Sequence, residues 1–261
     1  PKKGRVMYLD YETSQGIIEG RLRKLARSLD LGLDDPMVLY YRGTQTMVRD
    51  AQRIKANILN NHIDHLVIDS ASLAVGGKLE DTEAVGAFFA ALRTIGISST
   101  LITHVAKNTS RAGATPFGST YWRNFTRSEW QVIGSQAEGS PQLSMLVKHT
   151  KVNDEARHNR LGFTFHFGDD TVRVTPSDPD TLPGLEKQAP LRKQIEDAID
   201  ALEGKATLKA ISVHIGATGA TVETTIRRNP GTFMRVGVDG RAVLYGVKSV
   251  QYGDVRSNVR D

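Results

Sequence analysis

Glu12, Asp69 and His104 each stand just past a short apolar run. Val6-Met7-Tyr8-Leu9 leads through Asp10 and Tyr11 to Glu12, Leu66-Val67-Ile68 ends on Asp69, and Leu101-Ile102-Thr103 ends on His104. A carboxylate just beyond the C-terminal end of a parallel strand lies at the edge where open α/β sheets bind ligands. There Glu12 is placed to orient a water against a phosphate. An apolar strand closing on Asp69-Ser70 has the Walker B pattern, in which the Asp holds Mg²⁺ through water beside nucleotide phosphates. A polar ring at the next strand end, His104, can touch the terminal phosphate and report its loss. Each residue also has a plainer use: a helix cap at Asp10, Glu12 or Thr13, a turn-forming Asp, a surface His. What they share is three successive strand ends on one edge of one sheet.

Two further groups carry charge. Lys148-His149-Thr150-Lys151 follows the strand-like run Leu143–Val147. Its two cations either project into a neighbouring subunit's phosphates, as arginine fingers do in trans, or form a solvated basic turn. Arg123 and Arg127 are interleaved with Trp122, Phe125 and Trp130. Such a pattern binds single-stranded nucleic acid by charge and stacking, or consists of core aromatics with surface charges beside them, the reading that weighs more for Trp130. The motif G-x-x-x-x-G-K-[ST] is absent: Gly77-Lys78-Leu79 and Gly204-Lys205-Ala206 lack both its spacing and its hydroxyl. Without it the sequence holds no backbone cradle for phosphates and no Lys to reach them.

The elements that must position these residues alternate. Strand-like runs at Val6–Leu9, Val38–Tyr41, His65–Asp69 and Thr100–Thr103 are separated by helical patterns. One carries Ile17, Ile18, Leu22, Leu25, Ala26 and Leu29, a second Val48, Ala51, Ile54, Ile58 and Leu59, and a third Val85, Phe88, Phe89 and Leu92. This alternation predicts an α/β fold with a mostly parallel sheet covered on both faces. Beyond Gly113, the runs Trp130–Ile133, Leu143–Val147, Phe163–Phe167 and Val172–Val174 read as antiparallel strands extending that sheet. A proline-bearing stretch, 179–189, reads as a linker between a core over 1–178 and a small domain over 190–248, with a tail over 249–261. The small domain shows three helical patterns and then a hairpin turning at Asp239-Gly240, the layout of a winged helix. Arg227 and Arg228 end its third helix and Arg235 and Arg241 flank its turn, so these four are candidate DNA-backbone contacts.

The 261 residues contain 34 Lys and Arg against 29 Asp and Glu, a formal charge of +5 with pI near 9.4. That excess favours anionic partners such as nucleic acid. There is no cysteine, which excludes disulfides, thiolate zinc sites and cysteine nucleophiles and fits a reducing cytoplasm. No run approaches the ~20 apolar residues of a membrane span.

Taken in order, Val6–Glu12, the strand to Asp69, Thr103-His104-Val105-Ala106-Lys107, Phe117-Gly118-Ser119-Thr120-Tyr121-Trp122 and Lys148–Asn153 resemble the RecA-like, AAA-type ATPases of the RepA-like hexameric replicative helicases of plasmids, phages and bacteria. The resemblance covers roughly Gly4 to Val174. It implies Glu12 as catalytic carboxylate, Asp69 with Ser70 at the Walker B position, His104 as sensor, and Lys148 and Lys151 near the trans-acting finger. It further implies ATP and Mg²⁺ as cofactors, DNA as partner, a homo-oligomeric ring of the hexameric kind, no membrane association, and the cytoplasm of a bacterial or phage-infected cell. In that group the phosphate-binding loop precedes the strand matching Val6–Leu9, so the expectation is a segment cut before that loop and inactive alone. The other reading is a non-catalytic DNA-binding replication or regulatory protein with a scaffold RecA-like domain.

Overall fold

The computed structural model describes residues 4–31, 38–105 and 121–248. The expectations on Ala106-Lys107, Gly113, Phe117–Thr120 and the 249–261 tail lie outside them. The chain divides into two compact units, Pro1–Pro176 and Ser177–Asp261.

The first unit opens on a four-stranded parallel sheet in the order β2-β1-β3-β4, with β1 Val6–Asp10, β2 Val38–Arg42, β3 His65–Asp69 and β4 Ser98–Ile102. The register sets Asp10 beside Asp69, and Asp69 beside Ile102. Side chains alternate across a strand, so Met7, Leu9, Leu66 and Ile68 share one face, and all four are fully buried. Helices α1 (Gln15–Ser28), α2 (Met47–Asn60), the short α3 (Ala71–Ala74) and α4 (Thr82–Ile95) lie between and after these strands. The buried positions of α2, Met47, Asp50, Ala51, Ile54 and Ile58, recur at helical spacing and form one stripe. α4 starts at Asp81, whose side chain accepts from the Glu83 N–H, and stops at Gly96, whose left-handed φ of 81° closes the last turn. Phe88 and Phe89 of α4 meet Trp122 of α5 (Tyr121–Phe125) at ring separations of 5.5 and 5.6 Å, which places Trp122 in this core.

The expectation that the later strands extend the parallel sheet is corrected. β5 (Ser128–Ser135), β6 (Gln142–Val152), β7 (Leu161–Phe167) and β8 (Val172–Ser177) form their own antiparallel sheet in sequence order. Tight connections let each strand satisfy the next one's backbone groups, so the four pair among themselves rather than onto β4. Lys148 to Lys151 also prove to lie inside β6 rather than in a turn after it. Within that run His149 is buried, stacked against Trp130 of β5.

In the second unit, α6 (Leu191–Ala201), β9 (Ala206–Thr207), α7 (Leu208–Ile215) and α8 (Gly219–Arg228) precede the hairpin of β10 (Phe233–Asp239) and β11 (Ala242–Val247). β11 pairs with both β10 and β9 in a three-stranded antiparallel sheet. Thr207 and Thr218 cap α7 and α8 by accepting from the Ala210 and Thr221 N–H groups. Ile195, Ala198, Ile199, Ile211, Val222, Ile226, Phe233 and Tyr245 make a separate core. The stretch read as a linker is itself packed, with Leu182, Leu185 and Ala189 all buried.

Candidate functional site

Asp10 organises the loop that carries Glu12. Its side chain is fully buried. One oxygen accepts the backbone N–H groups of Glu12 and Thr13, both at 2.9 Å, and the other accepts the hydroxyls of Thr13 and Tyr40, also at 2.9 Å. Arg42 approaches at 3.4 Å. Burial alone would push the Asp10 carboxyl up, but the Thr13 and Glu12 amides and the two hydroxyls outweigh it and hold the group below the ordinary carboxylate range. Two backbone bonds continue the framework, from the Tyr11 N–H to the Asp69 carbonyl at 2.7 Å and from the Gly43 N–H to the Asp10 carbonyl at 2.8 Å.

On this frame Glu12 meets the ends of the next two strands. Ser70 Oγ donates to Glu12 Oε1 and also contacts Ser72 Oγ at 2.6 Å. His104 Nε2 lies 3.3 Å from the same Glu12 oxygen. Asp69 accepts from the Tyr8 hydroxyl. Burial first, and then the Asp69 carboxylate, drive the Tyr8 phenol far up, so it stays a proton donor. Glu12, Ser70 and His104 therefore form one hydrogen-bonded cluster at the C-terminal edge of β1, β3 and β4, with Asp69 beside it. His104 is mostly exposed and Ser70 fully buried, so the cluster runs from solvent into the sheet edge.

Residue types here suit one side of a magnesium–nucleotide site. Mg²⁺ takes one or two carboxylates and completes its shell with waters and phosphates, and Asp69 with the Ser70 hydroxyl offers that much. Among the described residues no group of three or more His, Cys, Asp or Glu is arranged to hold a metal alone. The donors thus fit a metal that arrives with phosphates, while the sequence supplies no phosphate cradle.

The other candidates lie elsewhere. Lys151 Nζ donates to the Arg123 carbonyl at 2.6 Å and to that of Thr126, satisfying the carbonyls at the end of α5. Lys148 is half-buried, and burial followed by the nearby Arg160 charge lowers its pKa. Arg127 pairs with Asp154 at 3.1 Å, and Arg123 donates to the Thr150 carbonyl at 3.4 Å. Arg227, Arg228, Arg235 and Arg241 are all exposed on the second unit. Trp130, for which a core position weighed more, is 39% exposed, and of the two readings left open for Trp122 the core one holds, at 2% exposed. Sequence reasoning missed Tyr8, Tyr40 and Ser72, and took Asp10 only as a helix cap. The Asp10-x-x-Thr13 spacing was the available signal, since it is that of a side chain folding back on its own loop.

One comparison bears on the first part of the chain. An AAA-domain family model matches residues 1–110. This region has the general architecture of an AAA-type, RecA-like ATPase. Among solved structures, a KaiC-like protein from the hyperthermophilic archaeon Pyrococcus horikoshii OT3 is 16% identical, with a TM-score of 0.46 over 66% of this chain and 76% of that one. No curated protein matches. No helix among the described residues is long and apolar enough to cross a membrane.

Acid stability should report the Asp10 lock. Its folded pKa lies below the unfolded value of about 3.9, so its contribution is complete above that value and drains away as pH falls through the folded pKa. Asp10→Asn should cost about 1–3 kcal/mol at pH 7, the penalty for leaving buried donors poorly matched, and should flatten the loss below pH 4. Urea unfolding across pH 3–7 measures this, and parallel acid losses in both proteins would remove Asp10 from the role.

Proposed function

We propose that this chain forms the hydrolytic part of a DNA-dependent, RecA-like ATPase that works between subunits of a homo-oligomeric ring, in replication or remodelling of DNA. The observation that carries the reading is the single cluster of Glu12, Ser70 and His104 beside Asp69 at one sheet edge. Glu12 orients the attacking water. Asp69, steadied by Tyr8, faces the Mg²⁺ that accompanies ATP, and His104 reads the state of the terminal phosphate through its contact with Glu12. Bound Mg²⁺–ATP would supply the electrophilic phosphorus and the charge neutralisation. In this reading Lys148 serves a neighbouring subunit's phosphates, while Lys151 steadies α5 through the Arg123 and Thr126 carbonyls.

The motor reading requires a phosphate-binding loop, a motif these 261 residues do not contain. The parallel sheet leaves room for it, since β4 is an edge strand with Ser98, Ser99, Thr100 and Ile102 exposed. The absence of that loop also favours a second reading, a DNA-binding protein whose RecA-like unit is a scaffold.

The second unit we read as a winged helix, supported by its order of helix, strand, two helices and hairpin. α8 would enter a major groove, with Arg227 and Arg228 at its end and Arg235 and Arg241 on the wing lying along phosphates. A steady-state assay tests the whole proposal. The 261-residue chain with Mg²⁺ and DNA should turn over ATP far below about 1 s⁻¹, the low end of ordinary enzymes. A form carrying the loop should be active and stimulated by DNA. Full activity without the loop, or none with it, would contradict the motor reading.

A further inference from the structure

The antiparallel sheet carries a group of rings that the nucleotide site does not use. Trp130 on β5 pairs in register with His149 on β6, and their rings lie 4.2 Å apart and within 1° of parallel. His158, from the segment between β6 and β7, adds a third near-parallel ring, 5.2 Å from His149 and 5.7 Å from Trp130.

Hydrogen bonds fix Trp130, His149 and the backbone of His158. The His158 N–H donates to His149 Nδ1 at 3.0 Å, which leaves the His149 proton on Nε2, where it donates to Ser128 Oγ at 2.9 Å. The Trp130 indole N–H donates to the same Ser128 oxygen at 3.0 Å. Ser128 therefore clamps both ring edges, and His149 is buried beneath. Trp130 is nevertheless 39% exposed. Val132 and Leu161 continue the same sheet face and are 57% and 43% exposed.

Arginines flank these rings in the sequence, and Arg160 also lies near Lys148. Arg127 stands just before β5, and Arg157 and Arg160 bracket His158 in the chain. Opposing them are Asp154, paired with Arg127 at 3.1 Å, and Glu155, 3.4 Å from His158. Arg157 lies in this exposed segment, in a chain that is basic as a whole.

We infer that the Trp130–His149–His158 stack is a base-stacking platform for single-stranded nucleic acid, with Arg127 and Arg157 tracking the backbone. A flat, exposed π-surface held rigid in advance takes any base at small ordering cost. Duplex DNA does not offer that contact, because its base faces are already stacked on one another. The inference deepens the DNA-handling reading above by naming the strand state and the site, and it makes no use of the nucleotide site.

The test uses the full chain without nucleotide. Trp122→Phe leaves Trp130 as the one tryptophan, and titration with oligo(dT) at low salt should quench its emission. Trp130→Ala should weaken oligo(dT) binding by about five- to a hundredfold, the usual range for losing one base–aromatic stack, and Trp130→Phe should recover most of it. Arg127→Ala with Arg157→Ala should lower the slope of log K against log salt by about 0.7 per lost phosphate contact. Unquenched Trp130 emission at saturating oligonucleotide, or Trp130→Ala binding within twofold of the parent, overturns the inference. If duplex binding through the second unit persists in that case, the wider DNA reading stands. If the parent chain binds neither strand form, both fall.

Discussion

Replacing Glu12 by Gln should lower ATP turnover by about 10²–10⁴-fold, the range for removing a positioned base, in a form of the protein that carries a phosphate-binding loop. The amide keeps the size of the carboxylate and an oxygen to accept from Ser70 Oγ, so the fold and its unfolding midpoint should be unchanged. Nucleotide affinity should stay within a fewfold of the parent, because in the proposed role the loop and Mg²⁺ hold the phosphates while Glu12 acts on the attacking water. Asp69→Asn should behave differently, weakening Mg²⁺–nucleotide binding as well as turnover. Single-turnover hydrolysis alongside equilibrium binding separates the two. Unchanged turnover in Glu12→Gln would make Glu12 part of the helix start and nothing more.

A second large effect is expected at Gly43, which touches no candidate residue of the cluster. A Cβ built there falls 2.5 Å from two ring atoms of Tyr11, closer than carbon atoms pack. Tyr11 sits between Asp10 and Glu12, and its ring packs on the main core. The ring must move to admit a methyl group, and the backbone carrying Glu12 moves with it. Gly43→Ala should therefore cost about 1–3 kcal/mol, as overpacking does, and should also depress turnover through misplacement of Glu12. In a Tyr11→Ala background most of that Gly43→Ala penalty should vanish, a coupling that a double-mutant cycle measures. Additive losses would place the fault elsewhere. Tyr11→Phe should be neutral or slightly stabilising, because the buried Tyr11 hydroxyl has no hydrogen-bond partner among the described residues.

The parallel unit was legible because each of its strands is an apolar run bounded by a helical pattern. Met7, Leu9, Leu66 and Ile68 are buried for the same reason that they stand out in the sequence. The meeting of Glu12 and His104 at one edge followed from parallel strand direction alone. Their sharing of one oxygen, with Ser70, did not, since that depends on side-chain reach across strands β1, β3 and β4. The separate antiparallel sheet was missed because strand pairing partners leave no local pattern. The places of Trp122 and Trp130 were hard to read for a similar reason. Trp122 lies on α5, a five-residue helix too short to show a period, which turns it toward Phe88 and Phe89. Trp130 lies on a strand face that its neighbours leave open. Lys151 looked like a free cation until the end of α5 supplied carbonyls for it.

The central claim is that the edge formed by Glu12, Asp69, Ser70 and His104 faces a metal–nucleotide complex. Paramagnetic line broadening tests it directly, and weak binding suffices. With Mn²⁺ and excess ATP added to the isotope-labelled chain, amide signals of Glu12, Asp69, Ser70 and His104 should broaden first. Those of His65 and Ser98, at the opposite ends of the same strands, should stay sharp. Broadening that instead follows exposed acids such as Asp154, Glu155 and Asp170, or that spares Asp69 and Glu12, would contradict the account.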